Sequence, residues 1–408
     1  MNKKLLLAYS GGLDTSVICR WLTEKGYDVV CFVANVGQRE DFAELEKKAR
    51  RSGAADFVVA DCRDDFVRDF VTPSICFNAL YEGRYLLGTS LARPAIAQAM
   101  VVYAKEKGIS IYAHGATGKG NDQVRFEFSI YALHRGAKIV APWRDADFCS
   151  VFKGRKEAIE YANKHDIPIK ATAQQPWSSD ENLFHLSFES GMLENPAAEP
   201  QEQMYELTTS PQKAPDQAEE LTIGFSSGKA TELNGQATEP VKLLEKLNAL
   251  GGKHGIGRID IVESRFVGMK SRGVYETPGG TILLAAHRDI EAMTLPGGVI
   301  GLKDRLSSEF ATLVYNGMWF SKEVDCLLAF LNETQKSVSG EVRLRLYKGN
   351  VMVISRSSDN SLYDEKMASM EDDEGAYSPS DADGFIRLHS LPLIYTQRQK
   401  EGKDQKRG

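Results

Sequence analysis

The stretch that decides the fold is LLLAYSGGLDTSVICRWL, residues 5–22. Its apolar start, which ends near Ala8, predicts a buried strand, and the amphipathic pattern from Thr15 onward predicts a helix. Gly11 and Gly12 fall in the turn between them, where glycine lets backbone N–H groups approach an anion closely. The amino terminus of the following helix adds positive potential. The stretch therefore predicts a phosphate-binding loop.

The loop differs from a Walker A loop, because no lysine follows its glycines to reach the outer phosphates. It carries a carboxylate instead, that of Asp14. A carboxylate repels phosphate oxygens unless a divalent cation lies between them. We therefore expect Mg²⁺-bound pyrophosphate, the leaving group of an attack on the α-phosphate of ATP. Such an attack is adenylation, which releases pyrophosphate and is distinct from kinase chemistry.

The first third of the chain repeats this alternation of strands and helices. Apolar runs predict further strands at residues 28–35, 56–61, 109–115 and 138–143. Segments with helical spacing lie between them, and this alternation implies right-handed crossovers in a parallel, doubly wound sheet. We predict an α/β nucleotide-binding domain over residues 1–168.

The pattern changes after residue 168. A hairpin with a turn at Asn234-Gly235 and further extended segments predict an α+β domain over residues 169–360. Two helices are expected at about 303–335. The polar residues 196–220 are expected to form an exposed excursion. From residue 361 to 408 the chain is charged and has few apolar core positions, which predicts an arm rather than a third domain.

The composition favours small-molecule chemistry over binding to nucleic acid or membranes. The 50 basic and 56 acidic residues give a net charge of −6, which disfavours a nucleic-acid binder. No apolar run approaches the roughly 20 residues of a membrane span. The six cysteines form no C-x-x-C pair, as is typical of a reducing compartment. We therefore predict a cytoplasmic protein without nucleic-acid or membrane partners.

The string S-G-G-x-D-T-S after a strand resembles the loop of the ATP-pyrophosphatase (PP-loop) superfamily. Longer stretches, in order along almost the whole chain, resemble one family within it, the argininosuccinate synthases. They are AYSGGLDTSV (8–17), YEGRYLLGTSLARP (81–94), HGATGKGNDQVRFE (114–127), PWSSDENLFHLSFESGMLENP (176–196), GRIDIVESRFVGMKSRGVYETP (257–278) and SDADGF (380–385). Their length makes chance similarity an unsatisfactory explanation.

The resemblance implies an adenine nucleotide alpha hydrolase-like domain, a synthetase domain and a C-terminal oligomerisation arm. It implies ligation of citrulline and aspartate with ATP and Mg²⁺, through a citrulline-adenylate, to argininosuccinate, AMP and pyrophosphate. It further implies a role in arginine biosynthesis and a homotetramer. The base that deprotonates the amine of aspartate is not assigned, and neither are kinetic order and regulation.

The resemblance also implies the site residues, which we carry over position by position. The residues implied to contact ATP are Ala8, Tyr9, Ser10, Gly11, Gly12, Leu13, Asp14, Thr15, Ser16, Ala34 and Gly115. Those implied to contact citrulline are Tyr85, Ser90, Asn121, Arg125, Ser178, Ser187, Glu263 and Tyr275. Those implied to contact aspartate are Thr89, Thr117, Asn121 and Asp122, with Arg93 nearby. The expected catalytic residues are Asp14, Asp122 and Arg125, with Asp14 also an indirect partner of Mg²⁺.

The residue types suit these substrates. Arg93 and Arg125 can bind carboxylates in bidentate fashion, while Glu263 and Asp122 can accept hydrogen bonds from ammonium or ureido groups. A simpler alternative makes the hydroxyls near residue 89 and the polar pair at 121–122 only helix caps.

Two other functions remain open on the sequence. A PP-loop enzyme that acts on tRNA would need a basic surface and often a cysteine pair, and the composition disfavours both. A nucleotide sensor without turnover would not need the substrate-like motifs in the second half of the chain.

Overall fold

The computed structural model describes residues 3–168, 177–371, 375 and 377–404. The chain divides into two compact units, of which the first ends at Asn360 and the second begins at Ser361. The predicted domain limits at residues 168 and 360 remain predictions.

A five-stranded parallel sheet forms the core of the N-terminal region. Its strands are β1 (Lys3–Ala8), β2 (Tyr27–Asn35), β3 (Asp56–Asp61), β4 (Ile111–Ala113) and β5 (Lys138–Val140). They lie in the order β3-β2-β1-β4-β5, and every neighbouring pair is parallel. The predicted parallel sheet is therefore confirmed.

Helices connect these strands, joined by a π-helical turn at Phe66–Val71 and a 3₁₀ turn at Pro142–Arg144. The helices are α1 (Leu13–Glu24), α2 (Phe42–Arg51), α3 (Arg63–Asp65), α4 (Thr72–Cys76), α5 (Gly88–Lys107), α6 (Asp122–Leu133), α7 (Ala146–Val151) and α8 (Arg155–Lys164).

Helices cover both faces of this sheet, as the doubly wound prediction requires. Leu5 and Leu7 of β1 belong to one hydrophobic cluster, together with Ile18 of α1. Leu6 points to the opposite face and joins a second cluster, which contains Leu91 of α5. Successive strand residues alternate between faces, so a continuous apolar run is what a strand buried on both sides needs.

The second half of the large unit contains two antiparallel sheets. The strands are β6 (Ser178–Glu181), β7 (Leu186–Glu189), β8 (Glu219–Ser226), β9 (Lys229–Leu233), β10 (Gln236–Ala237), β11 (Arg258–Ser264), β12 (Lys270–Glu276), β13 (Gly340–Tyr347) and β14 (Asn350–Ser357). One sheet has the order β10-β9-β8-β13-β14, and the other has the order β11-β12-β7-β6. The helices are α9 (Pro240–Lys253), α10 (Pro278–Thr294), α11 (Gly297–Tyr315) and α12 (Lys322–Gln335), with 3₁₀ turns at Gly191–Glu194 and Glu202–Met204. The predicted α+β class is confirmed, and Asn234-Gly235 turns between β9 and β10.

The two helices expected at about residues 303–335 are α11 and α12, so this prediction is confirmed. A further helix, α10, precedes them and was not predicted. Gly279 and Gly280 open α10, and glycine lowers helix propensity. They serve close packing instead, since a Cβ on Gly280 would lie 2.5 Å from Cε2 of Phe184.

The predicted excursion at residues 196–220 is exposed at most of its positions, but four of its residues are buried, which the sequence did not indicate. Met204 is fully buried, in a cluster with Phe188 and Val274. Thr208 is buried as well, where its N–H donates to Glu276 Oε1 at 2.8 Å. At residues 206–208 the backbone N–H groups donate to a side-chain carboxylate rather than to a neighbouring strand.

The C-terminal unit contains α13 (Glu365–Ala368) and the long α14 (Pro379–Asp404). Large apolar side chains of α14, such as Leu388 and Leu393, are exposed. No helix among the described residues is both long enough and apolar enough to cross a membrane.

Candidate active site

The glycine loop joins the end of β1 to the start of α1, as predicted. Gly11 has a φ of +70°, which glycine adopts without strain, and a Cβ there would lie 2.1 Å from Leu45 Cδ2. Gly12 is the N-cap of α1, and no side chain caps the helix. The free N–H groups of its first turn are therefore available to an anion.

Hydroxyl groups line this loop. Ser10 Oγ lies 3.1 Å from Thr15 Oγ1 and accepts from the Gly12 N–H at 3.3 Å. Ser16 Oγ donates to Gly12 O at 2.8 Å and lies 3.0 Å from the hydroxyl of Tyr9. These bonds fix the path of the loop without using charged groups.

Two charged side chains, Lys48 and Asp14, also lie at the loop. Lys48 Nζ donates to Gly11 O at 2.6 Å. Desolvation raises the pKa of Asp14, and the charge of Arg155 partly offsets this. Asp14 lies in the first turn of α1 and is exposed as a residue, although the protein around it still reduces the hydration of its carboxyl group.

Gly115 connects this loop to the next part of the site. It follows β4, and a Cβ on it would lie 2.9 Å from Thr15 Cγ2. The segment after β4 therefore runs directly against the glycine loop. Both lie at the carboxyl edge of the parallel sheet, where open α/β folds bind ligands.

The same segment forms one wall of a polar cavity of about 240 Å³. The cavity is lined by Tyr85, Thr89, Arg93, Gly115, Ala116, Thr117, Gly120, Asn121, Asp122, Arg125, Asp180, Ser187, Phe188, Glu189, Glu263, Arg265 and Tyr275. These residues come from α5, α6, β6, β7, β11 and β12 and from the loops beside them. The cavity thus lies between the parallel sheet and an antiparallel sheet.

Two arginines and two aspartates are interlocked in this cavity. Arg93 donates from Nε to Asp122 Oδ2 at 2.9 Å and from Nη2 to Asp180 Oδ2 at 2.8 Å. Arg125 donates from Nη1 to Asp122 Oδ1 at 2.9 Å. Burial opposes the ionisation of Asp122, but the two arginines outweigh it and lower the pKa of this carboxyl. Asp122 therefore stays ionised at neutral pH.

Glu263 stands at another wall, beside a stack of tyrosines. Tyr275 donates its hydroxyl to Glu263 Oε1 at 3.1 Å, and its ring stacks on Tyr85 with centroids 4.4 Å apart. Glu263 Oε2 is buried and makes no hydrogen bond of good geometry among the described residues, although the Tyr315 hydroxyl is close enough to favour the ionised carboxylate. Burial raises the pKa of Glu263. A buried carboxylate oxygen without a hydrogen bond of good geometry is a strong acceptor for a ligand N–H.

His185 lies behind this wall. Its Nε2 is 3.0 Å from Thr89 Oγ1, and the ring stacks on Tyr275. Burial lowers the pKa of His185 to about 3, and the charges of Arg93 and Arg125 add to the effect. The imidazole is therefore neutral.

The helix-cap alternative is wrong for Thr89, whereas Asn121 does occupy a cap position. α5 begins at Gly88 with Leu87 as N-cap, so Thr89 already lies inside the helix. Asn121 is the N-cap of α6, but its Oδ1 accepts from the Phe266 N–H at 3.0 Å rather than from its own helix.

The structure brings most of the predicted substrate residues together, with two exceptions. Ser90 is buried in α5, and its Oγ has no hydrogen-bond partner within the described part of the chain. Ser178 is exposed at the start of β6, opposite Glu189, and does not line the cavity. The ATP residues Ala8 to Ser16 surround the glycine loop, and Ala34 is buried at the end of β2.

Sequence reasoning missed three charged residues of the cavity, namely Asp180, Glu189 and Arg265. Arg265 donates to Glu189 Oε2 at 2.8 Å. Strand alternation was the available signal, because residues two apart share a face. Glu189 follows Ser187 by two residues, and Arg265 follows Glu263 by two.

A phosphate-type loop at the edge of a parallel sheet, beside a cavity rich in carboxylates and guanidinium groups, defines a nucleotide-dependent enzyme. Residues 4–168 match the arginosuccinate synthase N-terminal HUP domain, and residues 177–395 match the C-terminal domain of the same family. The chain belongs to the argininosuccinate synthase family.

Relatives agree with this assignment over nearly the full length. The argininosuccinate synthase of Syntrophotalea carbinolica is 53% identical over 402 residues, which cover 98% of each chain. That of Thermotoga maritima is 50% identical over 407 residues, covering 98% of this chain and 99% of its own. That of Leptospira biflexa is 52% identical over 392 residues, or 96% of each chain.

Proposed function

We propose that the chain joins citrulline and aspartate at the expense of ATP, giving argininosuccinate, AMP and pyrophosphate in arginine biosynthesis. The ureido oxygen of citrulline attacks the α-phosphorus of ATP, and pyrophosphate leaves. The amino group of aspartate then attacks the ureido carbon of the citrulline-adenylate and AMP departs. The observation that carries this proposal is the contact of Gly115 with Thr15, since it sets a nucleotide loop against an amino-acid-sized polar cavity.

ATP would lie along Ala8 to Ser16, with Ala34 and Gly115 at the nucleotide. The uncapped first turn of α1 supports this placement, because its N–H groups and hydroxyls suit the leaving pyrophosphate. These donors are fixed before the reaction and aim at the region where negative charge develops.

Mg²⁺ fits this loop as a companion of the phosphates rather than as a protein-bound ion. No group of three or more metal-binding side chains occurs among the residues that the structure describes, and Asp14 is the acidic residue in the first turn of α1. Mg²⁺ is commonly held by one or two carboxylates together with substrate phosphates. When bound, it supplies charge neutralisation for the leaving pyrophosphate.

Citrulline would bind on the side of the cavity that holds Glu263 and Tyr275. The buried Glu263 Oε2 supports a contact with an N–H of citrulline. Arg125 would face its carboxylate. The other proposed contacts are Tyr85, Ser90, Asn121, Ser178 and Ser187.

Aspartate would bind on the side formed by Thr117, Asn121 and Asp122. An ionised Asp122 is a suitable acceptor for its amino group. Asp122 and Arg125 are proposed to act catalytically by holding the reacting groups in line. Thr89 and Arg93 complete this side.

The test is release of pyrophosphate and AMP from ATP and Mg²⁺, with citrulline and aspartate each omitted in turn. We expect steady-state turnover to require both amino acids and to yield AMP rather than ADP. Turnover that is independent of both would overturn the substrate assignment and leave only adenylation of another compound.

Replacement of Gly11 by alanine is expected to raise the KM for ATP by about tenfold or more, because the added Cβ both strains a left-handed φ and strikes Leu45. Steady-state kinetics with varied ATP measure the effect. Gly26→Ala is the matched control, since Gly26 also has a positive φ but has open space around it. That variant should lose stability without a change in the KM for ATP, and equal kinetic effects of the two would contradict the assignment.

The affinity for citrulline is expected to fall as the pH is lowered through the raised pKa of Glu263. Protonation removes the acceptor, so the KM for citrulline should rise on the order of tenfold for each pH unit below that pKa. Glu263→Gln should show a high KM without this acid limb. If the KM for citrulline depended on pH in the same way in both proteins, Glu263 would not be a citrulline-binding residue.

The homotetramer, the cytoplasmic location and the oligomerisation role of residues 361–408 remain part of the proposal. The exposed apolar side chains of α14 support such a role for the arm. Size-exclusion chromatography with light scattering, on the full chain and on one that ends at residue 360, tests the oligomer.

A further inference from the structure

The hydroxyl of Thr89 has two polar neighbours in the cavity. Its Oγ1 lies 3.2 Å from Asp180 Oδ2 and 3.0 Å from His185 Nε2. Asp180 also accepts from Arg93 Nη2 at 2.8 Å. Asp180 therefore links the hydroxyl of Thr89 to the guanidinium of Arg93.

The direction of these hydrogen bonds follows from which of the three groups can donate a proton. A carboxylate that pairs with a guanidinium is only an acceptor, so the single proton of the Thr89 hydroxyl points to Asp180. His185 Nε2 must then donate to Thr89. The imidazole is neutral, so its other nitrogen carries no proton, and Nδ1 is buried without a hydrogen-bond partner among the described residues. Both observations fit one ordered chain from His185 through Thr89 to Asp180.

This order leaves one lone pair on Thr89 Oγ1. Thr89 lines the cavity, and an oxygen that already donates its proton can only accept from a ligand. The group that it accepts from must carry an N–H or O–H, so the hydroxyl suits an amino group and is unsuited to a carboxylate.

We propose that Asp180 is a positioning residue for the second half-reaction, which turns the Thr89 hydroxyl into an acceptor for the attacking amine and holds Arg93 in place. This inference rests on the proposed function. Arg93 is held from both sides, by Asp122 at Nε and by Asp180 at Nη2. Loss of Asp180 therefore disturbs the side of the cavity proposed for aspartate while it leaves the glycine loop intact.

Rapid-quench measurements separate the two half-reactions in the full-length protein. With enzyme in excess over ATP, citrulline alone should give one burst of pyrophosphate, and added aspartate should then give argininosuccinate. We expect Asp180→Asn to keep the burst within about threefold of the wild-type rate, to slow argininosuccinate formation by about 10- to 100-fold and to raise the KM for aspartate. Glu181→Gln is the matched control, because Glu181 is the next residue of β6 but pairs with Arg39 outside the cavity.

A double-mutant cycle tests whether Thr89 and Asp180 act together through their hydrogen bond. Thr89→Val should slow argininosuccinate formation selectively, as Asp180→Asn does, and Thr89→Ser should keep most of the wild-type rate. The double variant Thr89→Val with Asp180→Asn should be little slower than either single variant. Equal slowing of both half-reactions, additive losses, or failure of Thr89→Ser to rescue would each overturn the proposal. Should Asp180→Asn fail to fold, the two Thr89 variants decide alone. Absence of the wild-type burst with citrulline would instead refute the proposed function.

Discussion

Replacement of Asp122 by asparagine is expected to lower kcat/KM for aspartate by about 100- to 1000-fold, the range that follows from breaking a buried charge pair. Asp122 accepts from two arginines, Arg93 and Arg125, at 2.9 Å each. Asparagine offers one acceptor oxygen and no charge, so at least one guanidinium loses its partner. The same change removes the proposed acceptor for the amine of aspartate. AMP formation at varied aspartate concentration measures the effect.

Asp61→Asn is the matched control for this loss. Asp61 also pairs with an arginine, Arg63, at 2.9 and 2.7 Å, but the pair is exposed and lies outside the cavity. Exposed ion pairs contribute about 0–1 kcal/mol, so this variant should keep its activity and nearly all of its stability. An Asp122→Asn enzyme within about threefold of wild type would show that the interlocked arginines and aspartates are only structural.

Asp122 and Asp180 differ in what their loss should change. Asp122 touches both arginines and lies at the amino terminus of α6, so its loss should affect orientation of both amino acids. Among the described residues, the carboxylate of Asp180 hydrogen-bonds to Arg93 and Thr89, so its loss should spare adenylate formation. Comparison of the two variants in the same half-reaction assay therefore distinguishes a group proposed to touch substrate from one that acts through its neighbours.

The sequence predicted those parts of the site whose determinants are close together along the chain. The loop at Gly11 and Gly12 depends on residues within two turns of α1, so a short motif contains all that it needs. The approach of Gly115 to Thr15 spans 100 positions of sequence, yet it follows from the rule that the carboxyl ends of parallel strands share one edge.

The parts that sequence reasoning missed depend on contacts between distant segments. Asp180 owes its place in the cavity to Arg93 and Thr89, roughly 90 positions earlier, and no local pattern indicates that pairing. α10 was missed because Gly279 and Gly280 are poor helix formers, and packing against Phe184 overrides that propensity. In both cases tertiary contacts determine the outcome.

One distant carboxylate, that of Glu276, holds part of the segment at 196–220 in place. Glu276, at the end of β12, is fully buried and accepts from the backbone N–H groups of Glu206, Leu207 and Thr208 at 2.8–3.1 Å. Thr208 also donates its hydroxyl to Glu276. Local composition suggested exposure because the residue that satisfies this backbone lies about 70 positions further along the chain.

Glu276→Ala is expected to lower the free energy of unfolding by about 3 kcal/mol, since it leaves one buried and two partly buried N–H groups and the Thr208 hydroxyl without their acceptor. Urea unfolding measures the change in the global free energy of unfolding, and amide hydrogen exchange at residues 206–208 measures the local loss of protection. Glu276→Gln should cost less, because its amide oxygen still accepts from part of this set. Glu232→Ala, at a half-buried glutamate of β9 in the other antiparallel sheet, should leave the protection of these amides unchanged. If Glu276→Ala also left them protected, solvent or neighbouring groups rather than Glu276 would be satisfying the segment, and its burial would need another cause.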